Sequence, residues 1–337
     1  MDILFYDPAT PFAYEAATPL TQALGGTEAT VIRIAEALKS YHRVYVAQHC
    51  RSLSTMHYDS AVNYLSFEKA QQLSPEVLIL LRHYKMLDEV AKRFPKARRY
   101  LWLHNLPSRA LYSAGESLLR HRYQIIAVSQ FHRAAIEKRL HGKWFQKLFS
   151  PSHHQGHVPI HVLYNPIDDA LQPDDTTVQR DQLLFMSSPQ KGLAETLKLF
   201  KAVLHVFPEY QLLIANPGYN HLKISLPQQA RLLGALPHHQ VIEKVRRSFC
   251  VFYPQYVRAE TFGLVYAEAN AVGTPVLAHD MGAAREVLSD SQQLVNGREL
   301  STVLDKLSAW RQQRPFVQGK NEFRLSQVTQ AWLRLLG

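Results

Sequence analysis

The stretch Glu260-Thr261-Phe262-Gly263-Leu264-Val265-Tyr266-Ala267-Glu268-Ala269-Asn270-Ala271-Val272-Gly273-Thr274-Pro275-Val276 decides how this chain reads. Ahead of it, the apolar run Cys250–Tyr253 predicts a strand, which Pro254 ends. Glu260 then falls in a loop, Gly263 opens a helix to Ala271, and Pro275–Ala278 predicts a short buried strand. A helix start offers N–H groups without helical partners and the positive end of the helix dipole, which suits a diphosphate. Gly263 lets the backbone approach a ligand closely. Glu268 lies about 12 Å along from Glu260 if the segment is helical throughout. One of the two carboxylates can then accept bonds from sugar hydroxyls at the helix mouth, and the other can reach ribose hydroxyls along its side. Thr261, Phe262 and Leu264 complete the turn and are candidate donor contacts.

Working outward, Phe185-Met186-Ser187-Ser188-Pro189-Gln190-Lys191-Gly192-Leu193 runs from a strand (Leu183–Met186) into a helix (Ala194–Val203). Lys191 stands at the junction between them. Leu212–Ala215 and Leu232–Leu236 predict further strands. The first half shows the same alternation. Ile3–Tyr6 predicts a strand, Gly25-Gly26-Thr27-Glu28 a loop, and Ala29–Leu38 a helix with Val31, Ile34, Ala35 and Leu38 on one face. Paired glycines at such a junction let backbone N–H groups reach an anion. Arg43–Gln48, Val77–Leu81, Tyr100–Leu103 and Ile125–Val128 follow as strands. Strand–helix alternation of this kind implies parallel sheets covered on both faces. His104 ends the strand Tyr100–Leu103, where ligands sit in open α/β sheets; Asn105 is the nearest alternative. The halves meet near residues 165–180, and the final stretch Val328–Leu336 is helical.

The segment 260–276 resembles the E-x7-E signature of the retaining glycosyltransferases of family 4, a group with the GT-B fold. Glu260 and Glu268 match the two glutamates, and Gly273-Thr274-Pro275-Val276 matches the family's G-T-P-V strand entry. Lys191-Gly192 resembles the family's K-G at the next helix. Gly25-Gly26 resembles its N-terminal glycine loop, and His104 stands where many members carry a His or Asp. Val162–Asp168, Leu233–His238 and Gly282–Glu286 resemble further family segments, the second placing Leu236 beside the nucleotide base. The family often has an arginine a few residues before the lysine; here Met186, Ser187 and Ser188 occupy that stretch, and Arg258 is a candidate substitute.

The resemblance implies two Rossmann-like domains with parallel sheets facing across an interdomain cleft. They would span 1–166 on the acceptor side and 167–320 on the nucleotide-sugar side, with a helix in 321–337 crossing back. It implies retaining, metal-independent transfer of a hexose from a nucleotide-diphosphate sugar, UDP or GDP, with no other cofactor. Lys191, Glu260 and His104 would be the catalytic residues.

Of 337 residues 46% are hydrophobic, enough for each half to bury its own core. No stretch nears the roughly 18 apolar residues of a membrane span, and the N-terminus has no leader pattern, so a cytoplasmic location is expected. Cys50 and Cys250 read as two buried thiols. The histidines of Ser150–His157 lack carboxylates or cysteines at ligand spacing and read as a solvated loop rather than a metal site. Lys plus Arg outnumber Asp plus Glu by 38 to 28, which favours anionic partners. Residues 131–149 place Arg133, Lys138, Arg139, Lys143 and Lys147 among Ile136, Leu140, Trp144 and Phe145. That pattern suits peripheral contact with an anionic membrane. The expected acceptor is therefore a glycan or lipid-linked glycan of cell-envelope synthesis. The alternatives are a GT-B binding protein without turnover and a nucleic-acid glucosyltransferase. No stacking platform supports the latter, and no nucleic-acid partner is expected.

Overall fold

A computed structural model describes residues 1–52, 61–141, 157–215 and 225–337. The histidines between 150 and 156 and the Trp144/Phe145 part of the amphipathic stretch lie outside the described residues. Two Rossmann-like domains are present, each built on a parallel sheet. The first unit comprises Met1–Ala16, Thr27–Pro166 and Leu325–Gly337; the second comprises Ala17–Gly26 and Ile167–Arg324. The segment 17–26, with Gly25 and Gly26, thus packs with the second unit, although its sequence position suggests the first.

The first sheet has strands β1 (Asp2–Asp7), β2 (Arg43–Gln48), β3 (Asn63–Ser66), β4 (Val77–Leu81), β5 (Arg98–Trp102), β6 (Tyr123–Ala127) and β7 (Ile160–Val162). Their order is β3-β2-β1-β4-β5-β6-β7. Every pairing is parallel. The second sheet has β8 (Gln179–Met186), β9 (Gln211–Ala215), β10 (Ala230–Gly234), β11 (Ser248–Tyr253), β12 (Val276–His279) and β13 (Leu294–Val295). Its order is β10-β9-β8-β11-β12-β13, again parallel. Each order turns at one place, between β1 and β4 and between β8 and β11. Such switch points open a crevice at the carboxyl ends of the strands.

The longer helices are α1 (Gly26–Leu38), α2 (Leu87–Arg93), α3 (Gln130–His141), α4 (Leu193–Val203), α5 (His238–Arg247), α6 (Leu264–Ala271), α7 (Leu300–Gln312) and α8 (Leu325–Leu336). β4 and β11 are buried along their whole length, as strands covered on both faces must be. Helix α8 returns to the first unit because its Trp332 is fully buried there against Trp102, 4.8 Å between ring centroids, and Phe5, 6.0 Å. In α3, Ile136 is buried in the first core, so the described part of the amphipathic stretch is an ordinary covering helix. Cys250 is buried as the apolar run implies. Cys50 is exposed, because it lies beyond the end of β2 rather than within it.

Candidate active site at the second switch point

Two strand–helix junctions face the switch point of the second sheet. β8 leads through Lys191 into α4, and β11 leads through Glu260 into α6. Each helix starts from a glycine in the left-handed region, Gly192 and Gly263, both at φ 88°. Neither start has a side-chain cap, and in the first turns the Leu193 and Tyr266 N–H groups are taken by the Pro189 and Gly263 carbonyls. Both glycines are sterically required. A Cβ at Gly192 would come within 2.7 Å of Gln255 Cγ, and one at Gly263 within 2.6 Å of the Tyr266 ring.

The Glu260 carboxylate is buried, 6% exposed for the residue, and accepts three charge-assisted or hydroxyl bonds. Lys191 Nζ donates to Oε2 at 2.8 Å and to Oε1 at 3.1 Å, and the Tyr253 hydroxyl donates to Oε1 at 2.8 Å. Burial, with the Glu260 charge, holds the Tyr253 phenol well above its usual range, so Tyr253 remains a donor at any ordinary pH. The backbone of Glu260 is buttressed from the far side. Its carbonyl accepts the Ala283 N–H at 3.0 Å, and a side chain at Gly282 would stand 2.7 Å from that same oxygen. Lys191 is 45% exposed at its side chain while Glu260 is 8% exposed, so the pair presents its ammonium to solvent.

Glu268 lies on α6 and is buried, with His238 Nε2 2.9 Å from its Oε1. His238 is the first residue of α5, so the exit of β10 is tied to the side of α6. Leu236 is half-buried in that exit. Thr261 is half-buried, whereas the Phe262 ring is fully buried edge-on to Phe323 at 5.1 Å. Only the main chain of Phe262 therefore remains for a ligand. A Cβ at Gly26 would lie 3.2 Å from Leu264 Cδ1, so the paired-glycine loop packs on the residue that opens α6. Arg258 is exposed, and its loop is organised by Gln255. The Gln255 amide donates to the Arg258 carbonyl at 2.7 Å and accepts the Val257 and Arg258 N–H groups at 3.0 Å.

The structure thus gathers Gly26, Lys191, Glu260, Thr261, Gly263, Leu264 and Glu268 in the second unit. His104 belongs to the first. Tyr253, Gln255, His238 and Gly282 were not singled out as site residues by sequence reasoning. A tyrosine closing a strand just before Pro254 is the one signal that pointed to Tyr253. Among the described residues, no group of three or more His, Cys, Asp or Glu is placed to hold a metal ion.

In the first unit, His104 is 7% exposed just past β5, its ring 4.6 Å from that of Trp102. Burial, helped by Arg82 and His132, holds its imidazole well below the usual range, so it is neutral at ordinary pH. The switch point of this unit carries a buried ion cluster that sequence reasoning did not find. Arg82 Nη2 meets Asp7 Oδ1 at 3.0 Å and its Nη1 meets Glu28 Oε1 at 3.1 Å. The Tyr14 hydroxyl donates to Asp7 Oδ2 at 3.0 Å.

Comparison with known proteins gives this architecture a context. The fold is similar along 99% of the chain to a sucrose-phosphate synthase from Thermosynechococcus elongatus, covering 98% of that chain at TM-score 0.71 and 14% identity. A glycosyltransferase from Rickettsia africae gives TM-score 0.67 at 14% identity, over 99% of this chain and 97% of its own. These likenesses show the fold, that of the GT-B glycosyltransferases. In sequence, a phosphatidyl-myo-inositol mannosyltransferase from Mycobacterium leprae is 33% identical over 127 residues, 36% of this chain and 34% of its own. A GDP-mannose-dependent monoacylated alpha-(1-6)-phosphatidylinositol monomannoside mannosyltransferase from Corynebacterium glutamicum is 28% identical over 144 residues, 36% of this chain and 38% of its own. The matched part therefore spans about a third of the length of these relatives. Residues 181–304, which hold Lys191, Glu260 and Glu268, match the family model of the glycosyl transferases group 1.

Proposed function

We propose that the chain is a retaining glycosyltransferase that moves a hexose from a nucleotide-diphosphate sugar to a hydroxyl of a glycan or glycolipid. The observation that carries this reading is the Lys191–Glu260–Tyr253 constellation between two uncapped helix starts. The diphosphate would be held by Lys191 and by N–H groups of the α4 and α6 starts. Glu260 would bind sugar hydroxyls and Glu268 the ribose. Arg258, at the rim, would supply the second cation that Ser187 and Ser188 do not.

In the proposed step the bond from the anomeric carbon to the phosphate oxygen breaks, and the acceptor oxygen bonds to that carbon on the same face. The acceptor proton passes to the leaving phosphate oxygen. Lys191 offsets the charge that develops there. No metal and no covalent enzyme intermediate is invoked. His104, held neutral, would orient the sugar as a hydrogen-bonding group rather than as an acid. UDP and GDP are the proposed nucleotides, and the similarity to inositol-lipid mannosyltransferases supports a lipid-linked acceptor reached at a membrane surface.

The test is release of nucleoside diphosphate from a panel of UDP-, GDP-, ADP- and dTDP-sugars, with Glu260→Gln and Lys191→Ala alongside. Slow hydrolysis of one donor, lost in both variants, is expected. A second reading, a nucleotide-binding protein without turnover, is favoured by the Met186-Ser187-Ser188 stretch where related enzymes carry a cation. Tight binding of one nucleotide sugar without release, in the presence of lipid and glycan acceptors, would establish that reading and overturn the first.

A further inference from the structure

On one face of the first sheet the helical cover formed by the described residues stops short. Strand register places Tyr100 beside Gln124, and Ile126 beside His161. With side chains alternating along each strand, Arg98, Tyr100, Trp102, Gln124 and His161 share that face. Helix α8 covers its central part through Trp332, which meets Trp102 and Phe5. Beyond α8, towards the edge strand β7, a groove of about 710 Å³ remains between α8 and α3. That volume suits a small-molecule ligand.

The floor of the groove is polar, which a buried parallel sheet ordinarily is not. His161 Nε2 is 2.6 Å from Gln124 Oε1, an oxygen that can only accept, so Nε2 carries the proton. The walls carry guanidinium groups: Arg98 from β5, Arg133 from α3 and Arg334 from α8. Among the described residues, no Asp or Glu lines the groove. Arg133 pairs with Glu137 at 2.8 Å, outside the lining. Arg98 donates to the Leu336 carbonyl, which orients it without cancelling its charge. Arg334 has no carboxylate within ion-pair distance among the described residues. Burial and the Arg133 charge together hold the His161 imidazole below its usual range. Three guanidiniums of fixed charge around neutral donors form a surface for a polyanion, since such groups bind phosphate oxygens through paired N–H donors.

We propose that the groove between α3 and α8 is a second anion site, which takes a phosphate-bearing ligand through Arg98, Arg133 and Arg334. A soluble molecule and an anionic lipid headgroup are the two sources of such a phosphate. The site does not depend on the proposed donor chemistry, because none of its residues belongs to the second unit.

Two arms of one experiment separate the sources. Inorganic pyrophosphate is titrated by calorimetry into the Lys191→Ala protein, in which the proposed donor site is disabled. Sedimentation is measured with phosphatidylcholine vesicles with and without phosphatidylglycerol. Each arm is repeated in Lys191→Ala carrying Arg334→Gln or Arg133→Gln, both exposed positions where the fold is expected to persist. Saturable pyrophosphate binding that weakens on the order of tenfold in the arginine variants and with added salt supports a soluble ligand. Binding only to the anionic vesicles, weakened in the same variants, supports a lipid headgroup. Binding in neither arm, or binding indifferent to both arginines, overturns the proposal.

Discussion

At the switch point of the first sheet, one guanidinium lies between two buried carboxylates; at that of the second, one ammonium, 45% exposed, meets one buried carboxylate. The strand orders are equivalent, and in each the crevice falls at the same place. In the first, Arg82 is held between Asp7 and Glu28, and the Tyr14 hydroxyl donates to Asp7. In the second, both helix starts stay uncapped and Lys191 reaches solvent. One topology therefore supplies both a buried charged strut and an ion pair that faces solvent. What distinguishes them is exposure and the number of partners: Arg82 is 13% exposed between two carboxylates, whereas Lys191 is 45% exposed beside one.

The most damaging way to break the comparison is Arg82→Met. It leaves Asp7 and Glu28 buried without their cation and is expected to cost about 3–5 kcal/mol, read by denaturant unfolding. Lys191→Ala leaves one buried carboxylate, Glu260, which keeps its bond from the Tyr253 hydroxyl, so stability should fall by about 1–3 kcal/mol, less than for Arg82→Met. Turnover should fall by about 10²–10³ in kcat if Lys191 meets leaving-group charge.

Acid should sharpen the contrast next. His132 in the first unit is buried, with Nδ1 accepting the Val128 N–H and Nε2 2.9 Å from the Asn105 carbonyl. Burial lowers its pKa from 6.5 to about 4, with the Asn105 carbonyl opposing in part. The unfolded chain therefore takes up this proton first as pH falls. Stability is full above pH 6.5 and declines towards pH 4, by about 3 kcal/mol for this group. Thermal unfolding across that range should show the loss, and His132→Gln should flatten it. The smallest effect belongs to His238→Ala. It removes one partner of Glu268 and should weaken nucleotide binding by about 1 kcal/mol, read by calorimetry.

Much of the second switch point was legible because its residues follow one another closely in sequence. Gly263 opens α6, Glu260 precedes it, and Lys191-Gly192 stands at the matching junction of β8 and α4. The strands β4 and β2 were legible from continuous apolar runs, with bounds that agree to the residue. The Asp7–Arg82–Glu28 cluster was not, because its members are brought together by strand order from separate parts of the chain. Arg82 in particular stands alone after an apolar strand, with no acidic residue beside it in sequence, and its backbone takes φ 60°. Strand β10 was expected in part, as Leu232–Leu236, but runs Ala230–Gly234, because Gly234 takes a left-handed φ of 75° and ends it. The placement of 17–26 with the second unit has no local signal either, since it depends on packing of Gly26 against Leu264.

The central claim is that only the second switch point is open to a nucleoside diphosphate. The most direct measurement is calorimetric titration of UDP and of GDP into the wild-type protein, Lys191→Ala and His104→Ala. The account predicts one saturable site for one of the two nucleotides, weakened on the order of tenfold or more by Lys191→Ala and unchanged by His104→Ala. Binding that survives Lys191→Ala intact, or that is lost with His104→Ala alone, would contradict it.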